Sequence, residues 1–130
     1  MVTEAKSVHY LAQNGIPVIA YSSLVPLSSW RDVEGQDSAK TERMKTDGAS
    51  PDSPFKIMAK KYGVSDAQVL LRWAFQKGYA TVPKSTDEGR AQQNIDIFSF
   101  NIADDDMSAI ADMDRGDGVA WSSGDPSKVD

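Results

Sequence analysis

At 130 residues, 40% hydrophobic and 25% charged, the sequence is globular in composition, with room for one domain and its core and too little for two. With no cysteine and one histidine, it excludes disulfide scaffolds, thiol nucleophiles and thiolate or multi-histidine metal sites. The net charge of -5 is uneven: residues 101–130 hold eight acids and two basic residues, which leaves the first hundred slightly positive.

That distribution argues against a general nucleic-acid surface, which needs clustered Lys and Arg, but it leaves room for a local anion site. The longest apolar run, residues 16–21, falls far short of the roughly 20 residues of a membrane span. The start, Met1-Val2-Thr3-Glu4, lacks the basic and apolar regions of a secretory signal. A cytoplasmic protein is the expectation.

In chain order, Thr3 is placed to cap a first helix, with Ala5, Val8, Leu11 and Ala12 at helical spacing and Gly15 as the stop. Residues 16–21 are short, β-branched and almost wholly apolar, the pattern of a strand buried on both faces in a parallel sheet. Residues 22–52 show no hydrophobic period. Their first third reads as ordered and residues 36–49 as a mobile loop.

Order returns at Ser53-Pro54, an N-cap followed by proline at the first helical position, and Gly63 closes that helix. Ser65-Asp66-Ala67-Gln68 spells a capping box, and the helix it opens carries Val69, Leu70, Trp73 and Ala74 on one face before stopping at Gly78. Residues 79–83 form a second short strand. Ser85 or Thr86 is expected to cap a helix that runs to Asn94. Residues 104–113 form a last helix with Met107, Ile110 and Met113 inward, and residues 117–130 read as an extended tail.

Short apolar strands alternating with amphipathic helices predict an α/β fold with two parallel strands. Phe55, Ile57, Leu70 and Trp73 are expected to cover one side of them. Two strands alone leave exposed edges, so self-association, a partner subunit or the segment 22–52 must complete the sheet.

Several motifs resolve into structural roles. Gly116-Asp117-Gly118 lacks the third glycine and the preceding strand of a dinucleotide fingerprint. Asp112, Asp114, Gly116 and Gly118 lack the closing glutamate of a calcium loop. Arg115-Gly116-Asp117 is a chance tripeptide, Asp104 to Asp106 suit a helix start, and His9 reads as an ordinary helix histidine.

One constellation carries chemistry. Lys84-Ser85-Thr86 follows a strand and opens a helix containing Arg90, Gln93 and Asn94. Such a helix start presents free N–H groups and a positive dipole end to an anion. Lys84 adds a point charge, Ser85 a hydroxyl, and Arg90 a planar fork suited to phosphate. Arg90 and Asn94, four residues apart, share one face and can address one ligand. The alternative is a capped helix with solvated charges.

Ile19-Ala20-Tyr21-Ser22-Ser23-Leu24, residues 64–73 (Val-Ser-Asp-Ala-Gln-Val-Leu-Leu-Arg-Trp) and Pro83-Lys84-Ser85 with Arg90 and Asn94 together resemble the aldo-keto reductases. Phe98-Ser99-Phe100, Asp105-Asp106-Met107 and Met113-Asp114-Arg115 resemble their closing segments. The match is to the C-terminal part, from the helix before strand seven to the final helix. It implies a segment of a (β/α)8 barrel that binds NADP and serves NADPH-dependent reduction of aldehydes and ketones. By resemblance, Tyr21 stacks on the nicotinamide, and Ser22 and Leu24 lie along the pyrophosphate. Lys84, Ser85, Thr86 and Arg90 would hold the 2′-phosphate, while Gln93 and Asn94 meet the adenine.

The chain departs from the family where Ser23, Leu24 and Val25 replace a Pro and Leu-Gly, and where Ala103 replaces a capping Ser or Thr, at a cost of about 1 kcal/mol. A whole barrel takes roughly 250 residues. By resemblance, the catalytic Tyr, Lys, Asp and His belong to the N-terminal half, and no residue here matches those motifs. The resemblance therefore implies a nucleotide-binding segment inactive by itself, or a non-catalytic nucleotide-binding or structural subunit of a larger assembly.

Overall fold

The computed structural model describes residues 5–21, 23–24 and 50–113. The Thr3 cap, the loop expected at 36–49 and the tail expected at 117–130 lie outside them. Helix α1 (Ala5–Gln13) leads into strand β1 (Val18–Ala20); α2 (Pro54–Tyr62) and α3 (Asp66–Gln76) precede β2 (Tyr79–Thr81), and α4 (Glu88–Ile95) and α5 (Asp104–Ala111) follow. This is the expected order of elements. Among the described residues, no helix is long and apolar enough to cross a membrane.

The two strands pair in parallel, with Val18 beside Tyr79, Ile19 beside Ala80 and Ala20 beside Thr81. Parallel pairing requires a crossover, and the helices between the strands supply it. Both strands are shorter than the apolar runs that announce them, because pairing spans three residues on each. Burial on both faces is not observed. Val18, Ala20, Tyr79 and Thr81 are half-buried, whereas Ile19 is 63% and Val82 60% exposed. Side chains alternate across a strand, so helices on one side of the pair cover only every second residue.

Local signals place α2 and α3. Pro54 occupies the first turn of α2, and Gly63 ends it at φ 68, a left-handed conformation that a side chain would strain. Ser53 stands at the N-cap as expected, yet its hydroxyl makes no capping bond and is buried without a partner among the described residues. The capping box of α3 is complete: the Gln68 N–H donates to Ser65 Oγ at 3.2 Å, and the Ser65 N–H donates to Gln68 Oε1 at 3.0 Å.

The core forms where these helices meet. Phe55, Met58 and Ala59 of α2 face Val69, Leu70, Trp73 and Ala74 of α3, and Ile102 and Ile110 close the cluster. Burying each large side chain contributes about 2 kcal/mol. Ile57 does not cover the sheet as expected, being 55% exposed. Two residues past Phe55, it lies roughly 200° around the helix, on the opposite side. Tyr79 meets Trp73 edge-on with ring centroids 6.5 Å apart, which ties β2 to α3.

Candidate nucleotide-binding site

Because β1 and β2 run in the same direction, the residues that follow them emerge at one edge of the sheet. Ala20 and Thr81 are register partners, and adjacent strands lie about 4.8 Å apart. Tyr21 and Leu24, which follow β1, and the run from Lys84, which follows β2, therefore share the C-terminal side of the sheet. In β/α barrels this is the side that carries ligand sites.

Tyr21 is 56% exposed at that edge. Beyond it, the Ser23 hydroxyl donates to the Ala20 carbonyl at 3.0 Å and turns the chain away from the strand. Leu24 is half-buried and packs against the core, so its side chain serves as an anchor and only its backbone is left to face a ligand. Ser22 lies outside the described residues.

On the β2 side, Lys84 and Thr86 are exposed and Ser85 is half-buried. Neither Ser85 nor Thr86 caps α4. The cap is Asp87, whose extended backbone (φ -105, ψ 126) lets Oδ1 accept the Arg90 N–H at 2.8 Å. Ser85 is committed one step earlier: its hydroxyl donates to the Asp87 carbonyl at 3.0 Å and accepts the Asp87 N–H at 3.1 Å. The helix accordingly starts at Glu88 and runs to Ile95, one residue past the expected end. Arg90 is exposed, with Nε 3.8 Å from Asp87 Oδ1. Exposed Gln93 and half-buried Asn94 follow one turn along.

A second group was not anticipated as a unit. Gln68, Arg72 and Gln76 stand at every fourth position of α3 and bind the segment that follows α4. The Gln68 Nε2 amide donates to the Asp96 carbonyl at 2.7 Å. Arg72 Nη1 donates to the Ile97 carbonyl at 3.0 Å, its Nη2 to Asn101 Oδ1, and its Nε to Gln76 Oε1 at 3.0 Å. Gln76 completes the ladder on Ile102, donating to the carbonyl and accepting the N–H. Arg72 and Gln68 are both buried. The available signal was this polar row, spaced by four, within an otherwise apolar helix. Its consequence for the site is positional, since it pins the C-terminal end of α4 to α3.

A parallel strand pair with helical crossovers, ending in a lysine-serine turn and a capped helix start, defines a portion of a β/α barrel. The chain belongs to the aldo/keto reductase family, whose family model matches residues 1–115. It is 38% identical over 118 residues to a protein of Emericella nidulans named probable NAD(P)H-dependent D-xylose reductase, covering 88% of this chain and 34% of the relative. An NAD(P)H-dependent pentose reductase of Pyricularia oryzae is 37% identical over 107 residues, 82% of this chain and 31% of that one. Among solved structures, an aldo-keto reductase of Bombyx mori in complex with NADP superposes with a TM-score of 0.73 at 27% identity, over 95% of this chain and 37% of that one. The chain thus spans about a third of the length of the curated relatives it matches. Its fold is a segment of the family's (β/α)8 barrel.

Proposed function

We propose that this chain supplies the nucleotide-holding part of an NAD(P)H-dependent carbonyl reductase. The observation that carries the reading is the parallel pairing that brings Tyr21 and the turn 84–90 to one edge of the sheet. The donor set fits the cofactor: Lys84, Ser85 and Arg90 offer a point charge, a hydroxyl and a planar fork, the chemistry of a phosphate holder. Exposed Tyr21 offers a ring to a planar heterocycle, and Gln93 and Asn94 offer amides to the adenine. When bound, NADPH supplies the hydride for carbonyl reduction. Relatives named D-xylose and pentose reductases support an aldose aldehyde as the substrate class.

No residue of this chain matches the family's catalytic tyrosine, lysine, aspartate and histidine motifs, so the proton donor comes from another part of the barrel. A positioned general acid is worth roughly 100- to 10,000-fold in rate. The face carrying Ile19, Ala80 and Val82 is exposed, which favours completion of the sheet by a second copy or a partner subunit. The test is a fluorescence titration with NADPH. Saturable binding weakened in both Tyr21→Ala and Arg90→Ala supports the reading; absence of binding, or binding indifferent to both substitutions, refutes it.

A further inference from the structure

We propose that Asp87 is a specificity-determining residue that opens this site to the unphosphorylated dinucleotide NAD(H) by opposing the 2′-phosphate of NADP(H). The inference rests on the nucleotide reading above and concerns which form of the nucleotide the site accepts. The run from Lys84 to Arg90 contains two cations, Lys84 and Arg90, and two carboxylates, Asp87 and Glu88. Its net charge is zero. A phosphate dianion arriving here meets no surplus of positive charge.

Asp87 is also held in place. One carboxylate oxygen, Oδ1, accepts the Arg90 N–H at 2.8 Å and lies 3.8 Å from Arg90 Nε. An incoming phosphate that approached either group, the Arg90 amide or its guanidinium, would lie beside this carboxylate. The carboxylate cannot withdraw without uncapping α4, and the paired bonds between Ser85 and the Asp87 backbone further fix the turn. A 2′-phosphate bound beside the carboxylate therefore meets a like charge held at the helix start. A ribose 2′-hydroxyl is instead a hydrogen-bond donor, which a carboxylate accepts. The same group thus opposes one nucleotide and suits the other.

Asp87→Asn and Asp87→Ser both remove the charge while keeping a side chain that caps well. The experiment measures NADPH and NADH dissociation constants for the full chain and both variants at low ionic strength, where exposed charges are least screened. The expected result is a rise of about tenfold in the NADPH-over-NADH preference in both variants, the scale of one charge acting on a dianion near a surface. An unchanged ratio with binding intact overturns the role of Asp87. Failure of the unsubstituted chain to bind either nucleotide overturns the nucleotide reading itself, and this inference with it.

Discussion

The Tyr62 hydroxyl donates to Asp106 Oδ2 at 2.5 Å and accepts the Ala103 N–H at 2.9 Å, joining the end of α2 to the start of α5. Ala103 occupies the N-cap of α5 and has no side chain with which to cap. Tyr62, 41 residues earlier in the chain, satisfies the N–H of that cap residue. Lys61 adds an ammonium 2.6 Å from the same Asp106 oxygen. Tyr62→Phe is expected to destabilise the fold by about 1–2 kcal/mol, since it removes a part-buried bond to a charged acceptor. Urea unfolding midpoints at neutral pH measure the loss.

The same contact predicts a pH dependence. Hydrogen bonds from Lys61 and then from Tyr62 hold the Asp106 carboxyl below its ordinary range. In turn the carboxylate raises the Lys61 ammonium. A carboxylate lowered in the folded state stabilises the fold above its unfolded value, about 3.9, and that contribution disappears as pH falls through the lowered value. The stability difference between the parent chain and Asp106→Asn should therefore be full at pH 7 and shrink toward zero in strong acid. A difference that stays constant across the acid range would show that the ion pair contributes nothing.

Arg72 is the most constrained cation of the described residues, buried and bonded to Ile97, Asn101 and Gln76. Arg72→Met should cost about 2–3 kcal/mol, because it removes three bonds and leaves the buried Ile97 carbonyl without this donor. Arg72→Lys should recover only part of this, for an ammonium cannot reproduce the planar fork. Unfolding midpoints of the two variants order them. Equal stability would mean that the fork is immaterial.

At the proposed nucleotide edge, Arg90→Ala should weaken NADPH about tenfold and change NADH by less than twofold if Arg90 meets the 2′-phosphate, since a charge-assisted bond is worth about 1.5 kcal/mol or more. Calorimetric titration with both nucleotides separates the effects. Parallel weakening of both would place Arg90 elsewhere on the ligand or in the fold.

Exposure of the sheet face gives a prediction about assembly. Ile19 of β1 and Val82, the residue after β2, are both well exposed, and among the described residues no further strand pairs with either edge. The purified chain is expected to self-associate at micromolar concentration, and Ile19→Lys with Val82→Lys should shift it toward monomer. Sedimentation velocity decides it. A sharp monomer that unfolds cooperatively would mean that this segment stands alone.

Much of the fold was readable locally. Pro54, Gly63, the Ser65–Gln68 box and Gly78 act within a few residues of themselves, so their consequences follow from the backbone alone. The strand order followed for a related reason, since short apolar runs separated by helical crossovers pair in parallel.

Choices between near-equivalent partners were not readable in this way. Ser85, Thr86 and Asp87 are all competent caps, and Asp87 caps α4 because Ser85 is spent on the turn before it. Whether residues 16–21 are buried on one face or two depends on what packs against each face, which alternation along a strand does not reveal. The bonds of the Gln68–Gln76 row to the segment after α4, and the Tyr62 contact, join residues 25 to 44 positions apart, so only the folded chain brings their donors and acceptors within reach. Local capping and periodicity determined where the helices and strands lie. Tertiary packing decided which polar groups find partners, because satisfying a buried donor depends on distance in space and not along the chain.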